Sequence, residues 1–323
     1  MSPFKKIRHF IETALLRLLA WWIPHLTRQS CIHLANGLGT VAFMLDRRGR
    51  SVAMANLECS NLGPSLTDAQ KREIIHTSYR NFARTMVDLF WSPALARPEN
   101  RHNLRLHGWE ILNERAAREK RGVIYVSLHA ANWEWSSLAC GLGGPGAIAV
   151  AENFKNPGLD AVFKSLREVT GQTIIPQENS MLRMLRTVKR GGRAAFLCDL
   201  SVAPSQAATI VRAFGMEMSA SILHAVLAQR ADAIIACVDT VPQRDGSCEA
   251  RLTILECPPV ATLREIAQAC WDHFEPSLRR EPGLWLWAYK HFRHKPHNTT
   301  VEYPFYANEW DAFDKLRAES GIA

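Results

Sequence analysis

A histidine and a glutamate, His129 and Glu134, are the residues whose types and spacing best suit acid–base chemistry in this 323-residue chain. His129 follows an apolar run, residues 122–128, which is typical of a fully buried strand, and a helix is predicted to begin at about Asn132. In one continuous helix the two side chains would point about 140° apart. The predicted bend between strand and helix removes that separation, so we expect His129 and Glu134 to form a pair.

Such a pair can activate a hydroxyl group for attack on an acyl thioester. Imidazole titrates near neutral pH and can take the hydroxyl proton. A carboxylate behind the ring fixes its tautomer and stabilises the imidazolium that forms. The reaction needs no serine or cysteine nucleophile, because a thioester carries its own activated carbonyl. The alternative is a histidine near a helix start and an unrelated glutamate that interacts with the helix dipole.

Short apolar runs that alternate with amphipathic stretches surround this pair and predict an α/β domain with a mostly parallel central sheet flanked by helices. The predicted strands are residues 122–128, 147–151, 173–175, 194–198, 233–238 and 251–255. The predicted helices are residues 67–92, 132–142, 157–170, 180–190, 219–231 and 262–280, the first capped by Thr67 or Asp68 and ended by Pro93 and Pro98. His129 then lies at the carboxyl end of a strand, where open α/β sheets bind ligands.

The first 50 residues contain two apolar runs, residues 10–23 and 31–45, bracketed by lysines and arginines. Two tryptophans near the end of the first run suit the headgroup boundary of a bilayer. We therefore predict a membrane-associating helical segment over residues 1–46 and a catalytic domain over residues 47–323. An amphipathic helix packed on its own domain is the alternative. Whether the segment spans the membrane or lies on it stays open.

The net charge of +8 predicts an anionic partner, which could be nucleic acid, an anionic membrane or an acidic carrier protein. The chain has no helix-turn-helix, zinc-finger or RNA-binding motif, and its apolar start disfavours a nucleic-acid-binding protein. One group of basic residues fits an acidic carrier protein or a lipid headgroup, although it also fits the solvated face of a helix: Arg183, Arg186, Lys189, Arg190 and Arg193.

Eight cysteines are scattered along the chain without a C-x-x-C pair or a histidine at metal-ligand spacing. We interpret them as small buried hydrophobic residues in a reducing compartment, which predicts neither disulfides nor a metal site. Trp285 and Trp287 alternate as core residues do, and we interpret them as packing side chains.

The string His-x-x-Asn-Trp-Glu after a buried strand, residues 129–134, resembles the motif of the bacterial lipid A late acyltransferases, the lauroyl/myristoyl transferase family. That family belongs to the wider H-x4-D/E lysophospholipid acyltransferases. Other segments resemble the family in the same order along most of the chain: Arg47-Arg48 to Leu57, Asn156-Pro157 followed by Arg167, Asp199 after a strand, and residues 282–296.

Four positions depart from the family pattern. Ala130-Ala131 replaces the Phe-Gly that often follows the motif histidine, Leu200 follows Asp199, and Tyr289 stands where a histidine is common. These departures bear on the acceptor and on the acyl chain length more than on the reaction.

The resemblance implies a central sheet wrapped by helices and a place at the cytoplasmic face of the inner membrane. It implies an acyl carrier protein or coenzyme A thioester as donor, a lipid A precursor as acceptor, and no metal or bound cofactor. His129 and Glu134 would be catalytic, and Arg167, Asn132 and Asp199 would bind substrate. The alternatives are an acyltransferase that acts on a glycerophospholipid or a mannosyl phosphoinositide, and a noncatalytic lipid-binding protein.

Overall fold

A seven-stranded sheet forms the centre of the computed structural model, which describes residues 3–152, 154–203, 207–258 and 260–321. Its strand order is β1-β9-β8-β2-β5-β3-β4, and every neighbouring pair is parallel except β8 and β9. The strands are β1 (Leu104–His107), β2 (Val123–Ser127), β3 (Ile148–Val150), β4 (Thr173–Ile175), β5 (Arg193–Leu197), β8 (Ile234–Pro242) and β9 (Cys248–Leu255). The predicted α/β fold with a mostly parallel sheet is confirmed.

Helices cover both faces of this sheet. They are α1 (Pro3–Trp22), α2 (Arg28–Leu45), α3 (Arg47–Cys59), α4 (Asp68–Leu95), α5 (Trp109–Glu119), α6 (Trp133–Leu142), α7 (Pro157–Arg167), α8 (Ser180–Lys189), α9 (Leu223–Ala231), α10 (Leu263–Arg280) and α11 (Asp311–Glu319). Two short pairs of strands lie outside the sheet: β6 (Ala208–Ala213) with β7 (Met216–Ser221), and β10 (His294–Lys295) with β11 (Asn308–Glu309).

Strand β2 lies between β5 and β8 and is buried on both faces. Its alternate residues face two separate apolar cores, because side chains of a strand point to opposite faces in turn. Ile124 and Val126 join the core beneath α8, α9 and α10, whereas Val123 and Tyr125 join the core beneath α4, α5 and α6. The backbone that leads from β2 to His129 is therefore fixed by packing on both faces of the sheet.

The long helix α4 begins as the sequence predicts, with a capping box between Thr67 and Gln70. Of the two prolines predicted to end the helix, Pro93 lies inside it, because the helix continues to Leu95 and ends before Pro98. A proline removes one backbone N–H from the hydrogen bonds of a helix. Only two residues of α4 follow Pro93, so little of the helix lies beyond the missing bond. A 3-10 helix that begins at Pro98 follows.

The two N-terminal helices pack on the body and expose much apolar surface. Ile23, Cys31 and Ala35 are buried in the core that includes α4. By contrast, eight large apolar residues of α1 are between 43% and 78% exposed: Phe4, Ile7, Phe10, Ile11, Leu15, Leu18, Trp21 and Trp22. Within the described ranges, no helix is both long enough and apolar enough to cross a membrane.

Residues 208–221 form an antiparallel hairpin. The predicted start of a helix at residue 219 is therefore wrong, because residues 219–221 belong to the second strand of this hairpin. Phe214 and Gly215 are its two-residue turn, with φ values of 51° and 79°. Positive φ at both positions gives the turn that matches the twist of paired strands. Helix α9 consequently begins at Leu223, after the hairpin.

Candidate functional site

His129 and Asp199 meet at the carboxyl ends of the neighbouring strands β2 and β5. The Nδ1 atom of His129 lies 2.8 Å from Asp199 Oδ1. The backbone N–H of His129 also donates to both carboxylate oxygens, at 3.0 Å each. The carboxylate thus holds the histidine through its ring and its backbone. The His129 side chain is 19% exposed, whereas Asp199 is fully buried.

The charge of Asp199 determines the tautomer of His129. Burial raises the pKa of this carboxyl, but the adjacent His129 ring and the hydrogen bonds from it outweigh burial and lower the pKa to about 2. An ionised carboxylate only accepts hydrogen bonds, so Nδ1 carries the hydrogen. In the neutral ring the unprotonated nitrogen is therefore Nε2, which can accept a proton.

Glu134 pairs with Arg167, which corrects the expected contact between Glu134 and His129. Arg167 donates from Nε to one oxygen of Glu134 at 3.0 Å and from Nη2 to the other at 2.6 Å. The side chain of Glu134 is almost fully buried and the side chain of Arg167 is 24% exposed. The predicted bend after the strand exists, but it directs Glu134 toward the last residue of α7. The motif glutamate therefore lies in an ion pair with the predicted substrate-binding arginine.

The loop that carries His129 is fixed by helix α4 and by a segment near the C-terminus. The carbonyl of Ala131 accepts hydrogen bonds from Asn81 Nδ2 at 2.9 Å and from Thr85 Oγ1 at 2.8 Å. Its N–H donates to the Leu284 carbonyl at 2.8 Å. Ala131 itself has a φ of 48°, in the left-handed region that glycine adopts most easily. A glycine at this position would adopt the same backbone conformation without steric strain.

Trp285 and His291 support Asp199 from behind. The Trp285 indole N–H donates to Asp199 Oδ2 at 2.9 Å, and its ring stacks on His291 with the centroids 3.9 Å apart. Burial lowers the pKa of His291 to about 4, which keeps this ring neutral. Both tryptophans predicted to pack are buried, but Trp285 also contacts the site. Sequence reasoning missed this role, because the alternation of tryptophans signals only burial.

Asn132 caps helix α6 and is buried. Its Oδ1 accepts from the Trp135 backbone N–H at 3.1 Å, and its Nδ2 donates to Asp88 Oδ2 at 2.6 Å. Its own N–H donates to Thr240 Oγ1 at 3.0 Å. These contacts occupy the polar atoms by which Asn132 was predicted to bind substrate, so its side chain supports the motif helix from inside the protein.

The predicted basic group divides into an exposed set and a buried residue. Arg183, Arg186, Lys189 and Arg190 are exposed on or just after α8. None of these four forms a salt bridge with the residues that the structure describes. Arg193 differs, because it is 7% exposed and donates to Tyr125 Oη and to Asn113 Oδ1. Its predicted membership of a surface for a carrier or a headgroup is wrong, since β5 carries it into the core.

Six of the eight cysteines are buried, as predicted for small hydrophobic residues, and Cys59 and Cys257 are half-buried. Among the described residues, no group of three or more histidines, cysteines or acidic residues is arranged to hold a metal ion. The chemistry that the site itself offers is proton transfer at His129 Nε2, together with a cationic Arg167 on α7 that is paired with the motif residue Glu134. Trp133, whose ring centroid lies 5.5 Å from that of His129, adds an apolar wall.

Comparison with known proteins identifies the family of this chain. The family model described as bacterial lipid A biosynthesis acyltransferase matches residues 2–294, which include the motif loop, Arg167, Asp199 and Trp285. The comparison with curated proteins finds no match. By the match over most of its length, the chain belongs to the bacterial lipid A biosynthesis acyltransferase family and is a lipid acyltransferase.

Proposed function

We propose that this protein transfers a fatty acyl group from an acyl carrier protein or coenzyme A thioester to a hydroxyl group of a lipid A precursor. The observation that carries the proposal is the His129–Asp199 pair, which leaves Nε2 of a partly exposed imidazole free to accept a proton. The family match supports the class of reaction. The donor and the acceptor are our inference.

In the proposed reaction, Nε2 of His129 takes the proton of the acceptor hydroxyl as its oxygen attacks the thioester carbonyl carbon. Asp199 stabilises the imidazolium that forms, because it stays ionised. The tetrahedral intermediate then expels the thiolate, which takes the proton back from Nε2. The products are the lipid ester and the free thiol, and the histidine returns to its starting state.

Arg167 serves in this proposal as the electrostatic partner of the acyl or phosphate oxygens. Two of its N–H groups hold Glu134, and its remaining N–H groups can donate to an anion. Burial alone would lower the pKa of Arg167, but the adjacent Glu134 raises it, so the guanidinium stays charged. Glu134, in the first turn of α6, then acts through Arg167, because the ion pair holds the guanidinium in one orientation.

The exposed cations of α8 suit a carrier protein with acidic surface helices better than they suit a small thioester. Helix α8 is amphipathic: Met184 and Val188 are buried in the core, whereas Arg183, Arg186 and Lys189 face solvent. Long cationic side chains without ion-pair partners steer acidic partners through long-range attraction that salt weakens. We therefore favour acyl carrier protein over coenzyme A as donor.

Helix α1 is our proposed membrane-facing element within residues 1–46. Its exposed apolar residues form one side of the helix, and Leu16, Leu19 and Ala20 pack on the protein body. An exposed apolar stripe of this size on a cation-bearing helix is typical of a helix that lies in a membrane interface. The acceptor lipid would then reach the site from the bilayer. A place at the cytoplasmic face of the inner membrane follows from the donors, which are cytoplasmic.

Mass spectrometry of the product tests the proposed function. Purified protein would be incubated with acyl-carrier-protein or coenzyme A thioesters and with an under-acylated lipid A precursor, a lysophospholipid or a mannosyl phosphoinositide. The proposal predicts a mass increase of one acyl group on the lipid A precursor, faster with the carrier-protein donor. Acylation of only another acceptor would overturn the acceptor assignment. Lipid binding without acylation of any acceptor would favour a noncatalytic lipid-binding protein.

A further inference from the structure

A buried carboxylate, Asp88, lies in the second half of helix α4, outside the proposed catalytic pair. It is 1% exposed. The guanidinium of Arg28 donates to both of its oxygens, with Nη2 2.8 Å from Oδ2. Arg84 Nε lies 3.7 Å from Oδ2, and Asn132 Nδ2 donates to the same oxygen at 2.6 Å. One carboxylate therefore joins three side chains from different elements.

Arg28 brings the N-terminal helices into this cluster, since it is the first residue of α2. Its guanidinium lies 4.6 Å from the ring centroid of Trp135 and 5.4 Å from that of Trp91. Its Nε donates to the Gly246 carbonyl at 2.8 Å. The planar guanidinium thus bridges α2, α4, α6 and the β8–β9 turn in a way that lysine cannot reproduce.

Asn132 carries the cluster into the motif, because it caps α6 immediately before Trp133 and Glu134. Trp135 adds a second link, since its indole N–H donates to the Asp88 carbonyl at 3.2 Å. We propose that Arg28, Asp88 and Asn132 are positioning residues that set the first turn of α6, and through it the Glu134–Arg167 pair, from the N-terminal helix α2. This inference rests on the proposed function only for its effect on the reaction rate.

Burial of the charges favours a positioning role over a purely stabilising one. A buried ion pair loses most of its attraction to the cost of removing both charges from water, and apolar residues often replace such a pair without loss of stability. Its directional hydrogen bonds, in contrast, admit one geometry. A displacement of about 1 Å at a catalytic group can lower a rate by about 10²-fold. Replacement of the whole pair could therefore lower turnover with little loss of stability, whereas removal of one partner alone also destabilises the fold.

A residue swap between Asp88 and Asn132 tests the network. Asn132→Asp places two carboxylates within hydrogen-bond distance, and Asp88→Asn leaves Arg28 without a counter-ion. Each single variant should lower kcat by about tenfold or more and change KM for the donor by less than about twofold. The double variant restores one carboxylate, one amide and a good helix cap, but an amide nitrogen at position 88 cannot accept from Arg28 Nη2, so it should recover only part of the lost kcat. The pH profile should keep its shape, because His129 is untouched.

Hydrogen exchange measures the same positioning without an activity assay. The Trp135 and Ser136 backbone amides bond to Asn132 Oδ1 and to its carbonyl at 3.1 Å and 3.0 Å. Their exchange should accelerate in Asp88→Asn and Arg28→Lys and slow again in the swap. Thr67→Ala is the matched control, because it weakens the cap of α4 far from Asn132. It should leave kcat and these two amides unchanged.

Wild-type kcat in a folded Asp88→Asn variant would overturn the inference, and so would a swap no better than the worse single variant. If Asp88→Asn does not fold, Arg28→Lys and the exchange rates decide in the same way. An inactive wild-type protein would refute the proposed function instead, and exchange at Trp135 and Ser136 would still show whether the network positions α6.

Discussion

Asp199 Oδ1 lies 2.8 Å from His129 Nδ1, and Asp199 Oδ2 accepts the indole N–H of Trp285 at 2.9 Å. The buried carboxylate is thus held in place on one side and orients the imidazole on the other. The orienting partner of the motif histidine comes from the neighbouring strand, not from the motif. The predictions below separate its role from that of Glu134.

Asp199→Asn should lower kcat by about 10²–10⁴-fold while the protein stays folded. An asparagine can offer an N–H to the ring, which favours the wrong tautomer, and it carries no charge to stabilise the imidazolium. Trp285→Phe keeps the ring packing and removes one hydrogen bond, so it should lower kcat by only about 3- to 10-fold. Steady-state kinetics checks both, with circular dichroism for the fold. Equal effects of the two variants would contradict the assignment.

Glu134→Gln and Arg167→Lys should act as one unit. Each breaks the bidentate pair, so each should weaken acyl transfer, and the double variant should be little worse than either single variant. A double-mutant cycle on kcat/KM gives the coupling. The shape of the pH–rate profile should not change, because neither residue contacts Nδ1 of His129. Fully additive effects would show that the two residues act separately.

Ala131→Gly should raise the free energy of unfolding by about 0.5–1 kcal/mol. The left-handed conformation of Ala131 costs about 1–2 kcal/mol, and the greater flexibility of glycine in the unfolded chain offsets part of the gain. Ala130→Gly is the control, because that residue pairs with Trp285 in an isolated β-bridge and should lose stability. Denaturant unfolding measures both. A destabilised Ala131→Gly protein would argue against this loop geometry.

Much of the fold is predictable because its signals are local. The run Val123–Val126 is apolar and buried, as is typical of a strand covered on both faces. Thr67 and Gln70 stand at capping-box spacing before α4. The hairpin β6–β7 lacks such a signal, since its turn is Phe-Gly rather than Asn-Gly and its strands contain no continuous apolar run.

The site is predictable as a set of residues but not as a set of contacts. His129 and Asp199 each follow a short apolar run that forms a strand, yet only the strand order makes β2 and β5 neighbours. That order comes from packing of the whole sheet and leaves no mark on a local sequence. Glu134 was predicted as the partner of His129 because it is close in sequence. Asp199 is close to His129 only in space.

Binding of membranes should depend on α1. Glutamate in place of Phe10 or Ile11, which are 74% and 58% exposed, should weaken co-sedimentation with vesicles that contain phosphatidylglycerol. Ile111→Glu is the matched control, because Ile111 is 67% exposed on α5 and should leave binding unchanged. Equal loss from all three substitutions would indicate a nonspecific effect of charge.

The docking of α11 should weaken as pH rises. His297 Nδ1 lies 2.6 Å from Asp314, and Nε2 lies 3.5 Å from Asp311; the hydrogen bond to Asp314 is the main reason that the pKa of His297 is raised. Protonated His297 therefore stabilises the docking of α11 fully at pH values below the unfolded-state pKa of His297. This stabilisation is lost as pH rises through the folded-state pKa. Hydrogen exchange of α11 should therefore accelerate as pH rises through that window, after correction for intrinsic exchange. His297→Ala should remove this dependence.

The rate of acyl transfer by His129→Ala, measured against pH beside the wild type, tests the central claim most directly. A general base must be unprotonated to accept a proton, so the wild-type rate should rise with pH. A folded His129→Ala protein should be about 10²–10⁴-fold slower and should lose that rise. Near-normal rates with an unchanged pH profile in this variant would contradict general-base catalysis by His129.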